Sequence, residues 1–210
     1  MASQNHTCPL CHSAGELFYN QKFKECSGCQ SIFRCPNFFL SWEKEKSRYE
    51  EHNNNVQDIK YQWFVDPLVE EILKNHWSDE IWLDFWAGTG PVISHLLEQK
   101  WFHTKLYDPF FHNDKKLLLG KYDFIIACEV VEHFHDPEKE FELLYNLLKA
   151  KGKLYIMTDL YSSEINFSKW YYKNDKTHVF FYSNYAFQWI QKHWNWKKYS
   201  RKNRCIILEK

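Results

Sequence analysis

From residue 81 onward the chain alternates short apolar runs with longer amphipathic stretches. IWLDF (81–85), TKLYD (104–108), DFIIACE (123–129) and KLYIMT (153–158) are rich in β-branched and aromatic residues and predict strands. CIILE (205–209) predicts a last strand at a sheet edge. Helices are predicted over 91–100, 137–149 and 184–193. In the middle one Phe141, Leu144, Tyr145 and Leu148 share a face, Pro137 suits the first turn, and Gly152 lies just past the end. Such alternation predicts an α/β fold, a parallel sheet covered by helices on both faces.

The earlier part of the chain reads differently. Residues 37–78 form a charged, helical connector broken by the polar run HNNNVQD at 52–58. After the break Trp63, Phe64, Leu68, Val69, Ile72 and Leu73 recur at helical spacing. Residues 1–36 hold five of the seven cysteines. Three parts are expected: a small cysteine-rich module over 1–36, a helical connector or cap over 37–78, and the α/β domain over 79–210.

Cys8-Pro-Leu-Cys11 and Cys26-Ser-Gly-Cys29 are two C-x-x-C knuckles separated by 14 residues. Each offers two thiolates on a tight turn, and together they complete a tetrahedral Cys₄ site, the pattern of a structural zinc ribbon. A segment too small for its own core would draw its folding energy from the metal. Redox pairs or disulfides suit this paired spacing less well. His6, His12 and Cys35 lie near enough to replace one ligand, whereas Cys128 and Cys205 fall in predicted strands.

Composition narrows the field. Lys+Arg and Asp+Glu balance at 27 each, so no overall charge draws the protein to nucleic acid or anionic membrane. The opening MASQNHTCPLCHS lacks the basic and apolar regions of a signal peptide, and no apolar run would span a bilayer. A cytoplasmic protein without membrane attachment is expected, with cysteines as thiols or metal ligands. The unusual aromatic content, 10 Trp, 13 Tyr and 17 Phe, can fill a core but marks no function by itself.

The loop LDFWAGTG (83–90) stands between a predicted strand and a predicted helix. Gly88 and Gly90 let backbone approach a ligand, and Asp84 ends the strand where ligands bind in open α/β sheets. Asp108 ends the next strand, placed to accept from both hydroxyls of a ribose. No Lys-Ser or Lys-Thr follows, which excludes a P-loop. The spacing resembles motif I, Asp/Glu-x-Gly-x-Gly-x-Gly, of the class I S-adenosylmethionine-dependent methyltransferases. YDFIIACEVVEHFHDP (122–137), GKLYIMT and KTHVFFYS (176–183) resemble later segments of that family. The match is closest to a bacterial group with an N-terminal zinc ribbon and a Y-x-x-H-N-N connector, here Tyr49 to Asn54.

The resemblance implies a Rossmann-like methyltransferase sheet over 79–210, with Asp84, Gly88, Gly90, Asp108 and Glu129 at the cofactor. Two departures stand out. The segment from Asp108 to Tyr122 is short, so the usual third strand and its helix are reduced. Trp86 occupies the first glycine position, at the tightest point of the loop. The indole either points away and leaves the site intact or fills it, which would make the chain a catalytically silent binding module.

Glu129, Glu132 and His133 recur at i, i+3 and i+4, one face of a helical turn. With His178 they resemble the magnesium set of small-RNA 2′-O-methyltransferases and ubiquinone-biosynthesis O-methyltransferases, which implies O-methylation of a small molecule or RNA. His133 or His178 can alternatively serve as general base, with Glu132 beside them, or Glu129 and His133 can brace the cofactor. His52 in the connector is a further candidate. Residues 192–204, KHWNWKKYSRKNR, interleave six Lys/Arg with Trp194, Trp196 and Tyr199. That pattern is either a single-strand RNA surface or an edge strand with protective lysines, and the neutral chain favours the second.

Overall fold

In the computed structural model, which describes residues 7–51 and 55–210, the chain opens with a small antiparallel sheet. Its strands are β1 (Gly15–Tyr19), β2 (Phe23–Cys26) and β3 (Ile32–Arg34). The connector follows as α1 (Trp42–Glu50) and α2 (Ile59–Asn75), the latter capped by the Asp58 carboxylate accepting from the Lys60 N–H. Then come β4 (Trp82–Phe85), α3 (Val92–Glu98), β5 (Thr104–Tyr107) and β6 (Tyr122–Cys128). The chain ends with α4 (Pro137–Leu147), β7 (Leu148–Met157), β8 (Phe180–Phe181), α5 (Asn184–His193), β9 (Lys198–Lys202) and β10 (Cys205–Glu209).

The main sheet runs β5-β4-β6-β7-β10-β9, parallel through β7 and antiparallel in the last two strands. Period-two alternation sorts its side chains. Trp82, Phe124, Ile126, Tyr155 and Met157 face one way, onto Val65, Leu68, Val69 and Ile72 of α2 and Val92, Ile93 and Leu97 of α3. Leu83, Ile125, Ala127, Leu154 and Ile156 face the other way, onto Phe141 and Leu144 of α4 and Phe187 and Ile190 of α5. A doubly covered α/β sheet results, as the alternation predicts.

Several expectations are corrected. CIILE is an interior strand, because β9 pairs beyond it and takes the edge. Trp63 and Leu73 face outward at 70% and 37% exposure, and Val65 replaces them in the buried stripe. The helix expected to reach residue 149 ends at Leu147, where Leu148 already pairs with Tyr122, so Gly152 sits inside a strand rather than at a cap. Trp196 is buried, Trp194 stacks on Phe141, and the Tyr199 hydroxyl donates to Asn184, so the rings of 192–204 pack inward and present no stacking platform. Lys198, Arg201 and Lys202 remain exposed along the edge strand. Between β5 and β6 lies only a 3₁₀ turn, Lys115–Leu119, matching the expected reduction.

The cysteine-rich module is joined to the α/β part. β3 pairs with β8, placing Ile32 opposite Phe181 and Phe33 opposite Phe180. Leu10 and Phe33 belong to the same apolar core as Leu83 and Phe141. The Ser183 N–H donates to Ser31 Oγ at 3.1 Å, a further tie across the boundary expected at residue 36. Among the described residues no helix is long and apolar enough to cross a membrane.

Candidate functional site

Two sites are built on this frame. At the first, Cys8, Cys11, Cys26 and Cys29 converge, with Sγ atoms of Cys8 and Cys29 3.8 Å apart and those of Cys11 and Cys26 3.3 Å apart. All seven cysteines are free thiols. Each knuckle closes on backbone bonds: the His12 N–H to the Cys8 carbonyl and the Gln30 N–H to the Cys26 carbonyl, both at 3.0 Å. His12 and Gln30 turn the chain through left-handed φ of 59° and 55°. Gly28 is required by space, since a β-carbon there would lie 2.2 Å from Ser13 Oγ. The substitute ligands do not join. Cys35 is buried outside the cluster, His12 Nε2 lies 2.7 Å from Glu138, and His6 falls outside the described residues.

The second site is a cavity of about 380 Å³ at the carboxyl ends of β4, β5 and β6. The glycine loop lines one side, with Asp84, Trp86, Gly88, Gly90 and Asp108, and Glu129, His133 and His178 line another. Tyr49, Tyr61 and Phe64 from the connector complete it, so α1 and α2 act as the cap. His52 lies outside the described residues.

Electrostatics divides the two loop acids. Asp84 is buried and accepts from Ser94 Oγ at 2.6 Å; burial pushes its carboxyl up to about 6, with Asp108 adding to the rise. Asp108 instead gathers backbone: Oδ2 accepts from Gly88 N–H at 2.9 Å, and Oδ1 from Phe110 and Phe111 N–H at 2.8 and 3.0 Å. It therefore staples the glycine loop to the end of β5, and only its remaining lone pairs can serve a ribose. Gly88 takes φ 67°, where a side chain would be strained.

Trp86 also sits at positive φ, 61°. A non-glycine residue there carries about 1–3 kcal/mol of strain. Its indole is half-buried and edge-to-face with Phe134 at 5.9 Å and Phe110 at 6.4 Å. The ring forms a wall of the cavity, which stays open beside it.

The Glu-x-x-Glu-His run is rearranged relative to the expected helical turn. Glu129 directly follows β6 at φ 53°, and only Val131–His133 are helical, as a 3₁₀ turn. The four expected metal ligands therefore do not converge. Glu132, His133 and His178 come together, while Glu129 is held by Arg204 Nη2, 2.7 and 2.8 Å from its two oxygens. Burial pushes the Glu129 carboxyl up and Glu132 adds to it, with Arg204 pulling the other way. Glu132 is fully buried and accepts from Tyr172 Oη and from Thr158 Oγ1. With Glu129 on Arg204 and the Glu132 carboxylate already bonded to two hydroxyls, the three groups that meet fall short of the expected four-ligand magnesium set.

Both histidines are oriented by backbone. His133 Nδ1 donates to the Thr177 carbonyl at 3.1 Å, and His178 Nδ1 to the Tyr172 carbonyl at 2.7 Å. A carbonyl only accepts, so in each neutral ring the lone pair lies on Nε2. Burial, reinforced by His133, pulls His178 down to about 4. The rings meet edge to face at 4.8 Å.

Several of these partners carry no sequence signal. Arg204 sits in the β9–β10 turn, also 3.1 Å from Asp159. Tyr172 and Thr158 reach Glu132 from residues with no motif spacing to it. Tyr49, the first letter of the connector pattern, stands edge-on to His133 at 5.3 Å, and its hydroxyl donates to buried Glu45.

A sheet of this order with a glycine loop and acids at its carboxyl ends defines a Rossmann-like class I methyltransferase fold. The family model described as "Methyltransferase domain" matches residues 57–200, and the chain belongs to that family. No curated protein sequence matches it. Among solved structures it is similar to an O-methyltransferase family protein from Burkholderia thailandensis, at 11% identity and TM-score 0.55. That likeness covers 79% of this chain but only 61% of the Burkholderia protein. It is also similar to magnesium protoporphyrin IX methyltransferase from Synechocystis PCC 6803 with bound S-adenosylmethionine, at 15% identity and TM-score 0.51, covering 82% and 92% of the two chains. A chain in the complex of the Haloferax volcanii Trm112 methyltransferase activator with a methyltransferase is similar at 10% identity and TM-score 0.58, over 75% of this chain and 78% of that one. By family the protein belongs with the methyltransferases, and its fold is the one on which the Synechocystis enzyme holds S-adenosylmethionine.

Proposed function

We propose that this methyltransferase transfers its methyl group to a hydroxyl oxygen of a small, uncharged or cationic acceptor, with the His133–His178 pair receiving the proton. The observation that carries the reading is the pair of buried imidazoles whose Nδ1–H groups are tied to carbonyls, lining the same cavity as the glycine loop. His178, held down to about 4, is neutral at pH 7 but a weak base, so it sets the surroundings of His133, and His133 is the member of the pair that takes the proton.

Asp84, Gly88, Gly90 and Asp108 would hold the donor, in keeping with the family's motif. S-adenosylmethionine supplies, when bound, a methyl already activated by its sulfonium. The protein's own work is then alignment of the acceptor, exclusion of water by Tyr49, Tyr61 and Phe64, and removal of the hydroxyl proton. Among the described residues no Lys or Arg lines the cavity, whereas Asp84, Asp108 and Glu129 do. That charge balance disfavours phosphate-bearing acceptors such as RNA and carboxylates.

The four-cysteine cluster we assign to structural zinc. A tetrahedron with Zn–S near 2.3 Å has sulfurs about 3.8 Å apart, and the Cys8–Cys29 spacing is 3.8 Å. The test of the reaction is an acceptor screen by methyl release from labelled donor, repeated with His133→Ala and His178→Ala. Turnover should fall at least tenfold with donor affinity retained. Full turnover in both variants would remove the histidines from the chemistry.

A further inference from the structure

Trp86 lines the cavity but, as an indole, can neither take up the acceptor's proton nor accept a hydrogen bond. It stands two residues after Asp84 and two before Gly88, inside the loop assigned to the donor. Its ring touches Phe134, the residue that directly follows His133 and caps the 3₁₀ turn carrying it. The indole lines the same cavity as the loop acids Asp84 and Asp108 and the histidines His133 and His178. Phe110 fixes its other flank and is itself stacked on Trp42 at 4.0 Å and edge-on to Tyr49 at 5.4 Å. An indole held by two perpendicular rings has little freedom to swing aside.

Acids outnumber cations around it. Asp84, Asp108 and Glu129 line the cavity with Trp86, Tyr49, Tyr61 and Phe64, and the nearby Arg204 is spent on Glu129 and Asp159. π faces and carboxylates both attract cations, and indole is the strongest π partner among the side chains. A methyl moving from the glycine loop to the histidines stays inside the cavity that Trp86 lines, and the positive charge of a sulfonium is borne by the atom that releases it.

We propose that Trp86 recognises the positive charge of the sulfonium, so that the site distinguishes the methyl donor from its neutral thioether product. This rests on the methyltransferase reading of the cavity. A tryptophan at a glycine position is then a specificity element for the charged cofactor, its backbone strain offset by the anchored ring. Cation–π attraction at a partly desolvated site corresponds to roughly three- to thirtyfold in affinity.

Calorimetric titrations of S-adenosylmethionine and S-adenosylhomocysteine into the intact protein, Trp86→Leu and Trp86→Phe test it. The quantity read is the ratio of the two affinities in each protein. Trp86→Leu, which keeps bulk and a β-carbon but no π face, should weaken the sulfonium ligand by three- to thirtyfold and leave the thioether within about twofold. Trp86→Phe should fall between, and it decides the matter if the leucine variant does not fold. An unchanged ratio, with both ligands still binding, overturns the role of Trp86 and leaves the methyltransferase reading standing. Binding of neither ligand to the unmodified protein overturns both.

Discussion

Glu129 and Arg204, 75 positions apart, meet so that one guanidinium nitrogen lies 2.7 and 2.8 Å from the two carboxylate oxygens. The pair is three-quarters buried on each side, and Glu129 is held at a positive φ. Arg204 also reaches Asp159 and lies over the Phe64 ring at 4.8 Å, tying the β9–β10 turn to the cavity wall. The acid that motif spacing offers as a metal ligand is therefore committed to a cation supplied by the chain.

Removing one partner leaves the other charged and uncompensated. Arg204→Met should cost about 1–3 kcal/mol in chemical denaturation, less than a fully buried pair because both groups keep some solvent. Adding Glu129→Gln should restore part of the loss. A double-mutant cycle with no coupling would show the pair to be a surface contact of no energetic weight.

Asp108 carries a different prediction. Its carboxylate collects three backbone N–H groups that hold Gly88 and the Phe110–Phe111 turn. Asp108→Ala frees all three and should cost about 2–4 kcal/mol, together with at least tenfold in donor affinity by calorimetry. Asp108→Asn keeps one acceptor oxygen and should lose less. Equal losses in the two variants would mean that charge, rather than the staple, matters.

The elements with clear periodicity were legible in the sequence. Trp82–Phe85, Tyr122–Cys128 and Asn184–His193 follow from alternation or helical spacing, because each buries a face against a core. Asp84, Gly88 and Asp108 were legible because strand ends place them at the cavity. What escaped depends on pairings between distant segments. Nothing local in Phe180–Phe181 announces that they pair with β3. Nothing in the spacing of Glu129, Glu132 and His133 shows that Glu129 leaves the helical region and turns to Arg204. Trp194 and Trp196 look like a binding platform until α4 and its Phe141 and Tyr145 are placed against them. Long-range packing overrides local pattern in each case.

The four-cysteine cluster predicts coupled loss of structure. Its knuckles touch Leu10 and Phe33, which lie in the main core, and β3 pairs with β8. The purified protein should hold a single equivalent of zinc by mass spectrometry. Chelation or Cys26→Ser should lower the melting temperature of the whole chain in one transition, since metal binding is folding free energy here. A cysteine-rich module that melts separately, with the α/β part unaffected, would show the shared core to be energetically trivial.

His178 predicts a stability that depends on pH with a definite sign. Burial and the neighbouring His133 take it from 6.5 to about 4 in the folded protein, with Glu132 and Asp175 pulling the other way. Between those values the unfolded chain binds the extra proton and the folded one does not, so stability falls as pH falls from about 6.5 to about 4. The full span corresponds to ~3 kcal/mol. Asp84 opposes this, because its raised carboxyl contributes stability at low pH that is lost as pH rises from 3.8 through about 6. Comparison with His178→Asn isolates the histidine, since asparagine does not titrate. Denaturant midpoints at pH 7 and pH 4.5 should show the unmodified protein losing up to ~3 kcal/mol more than the variant. Parallel curves would place an ordinary, solvated imidazole at position 178, and with it would go the argument that burial keeps this histidine neutral beside His133.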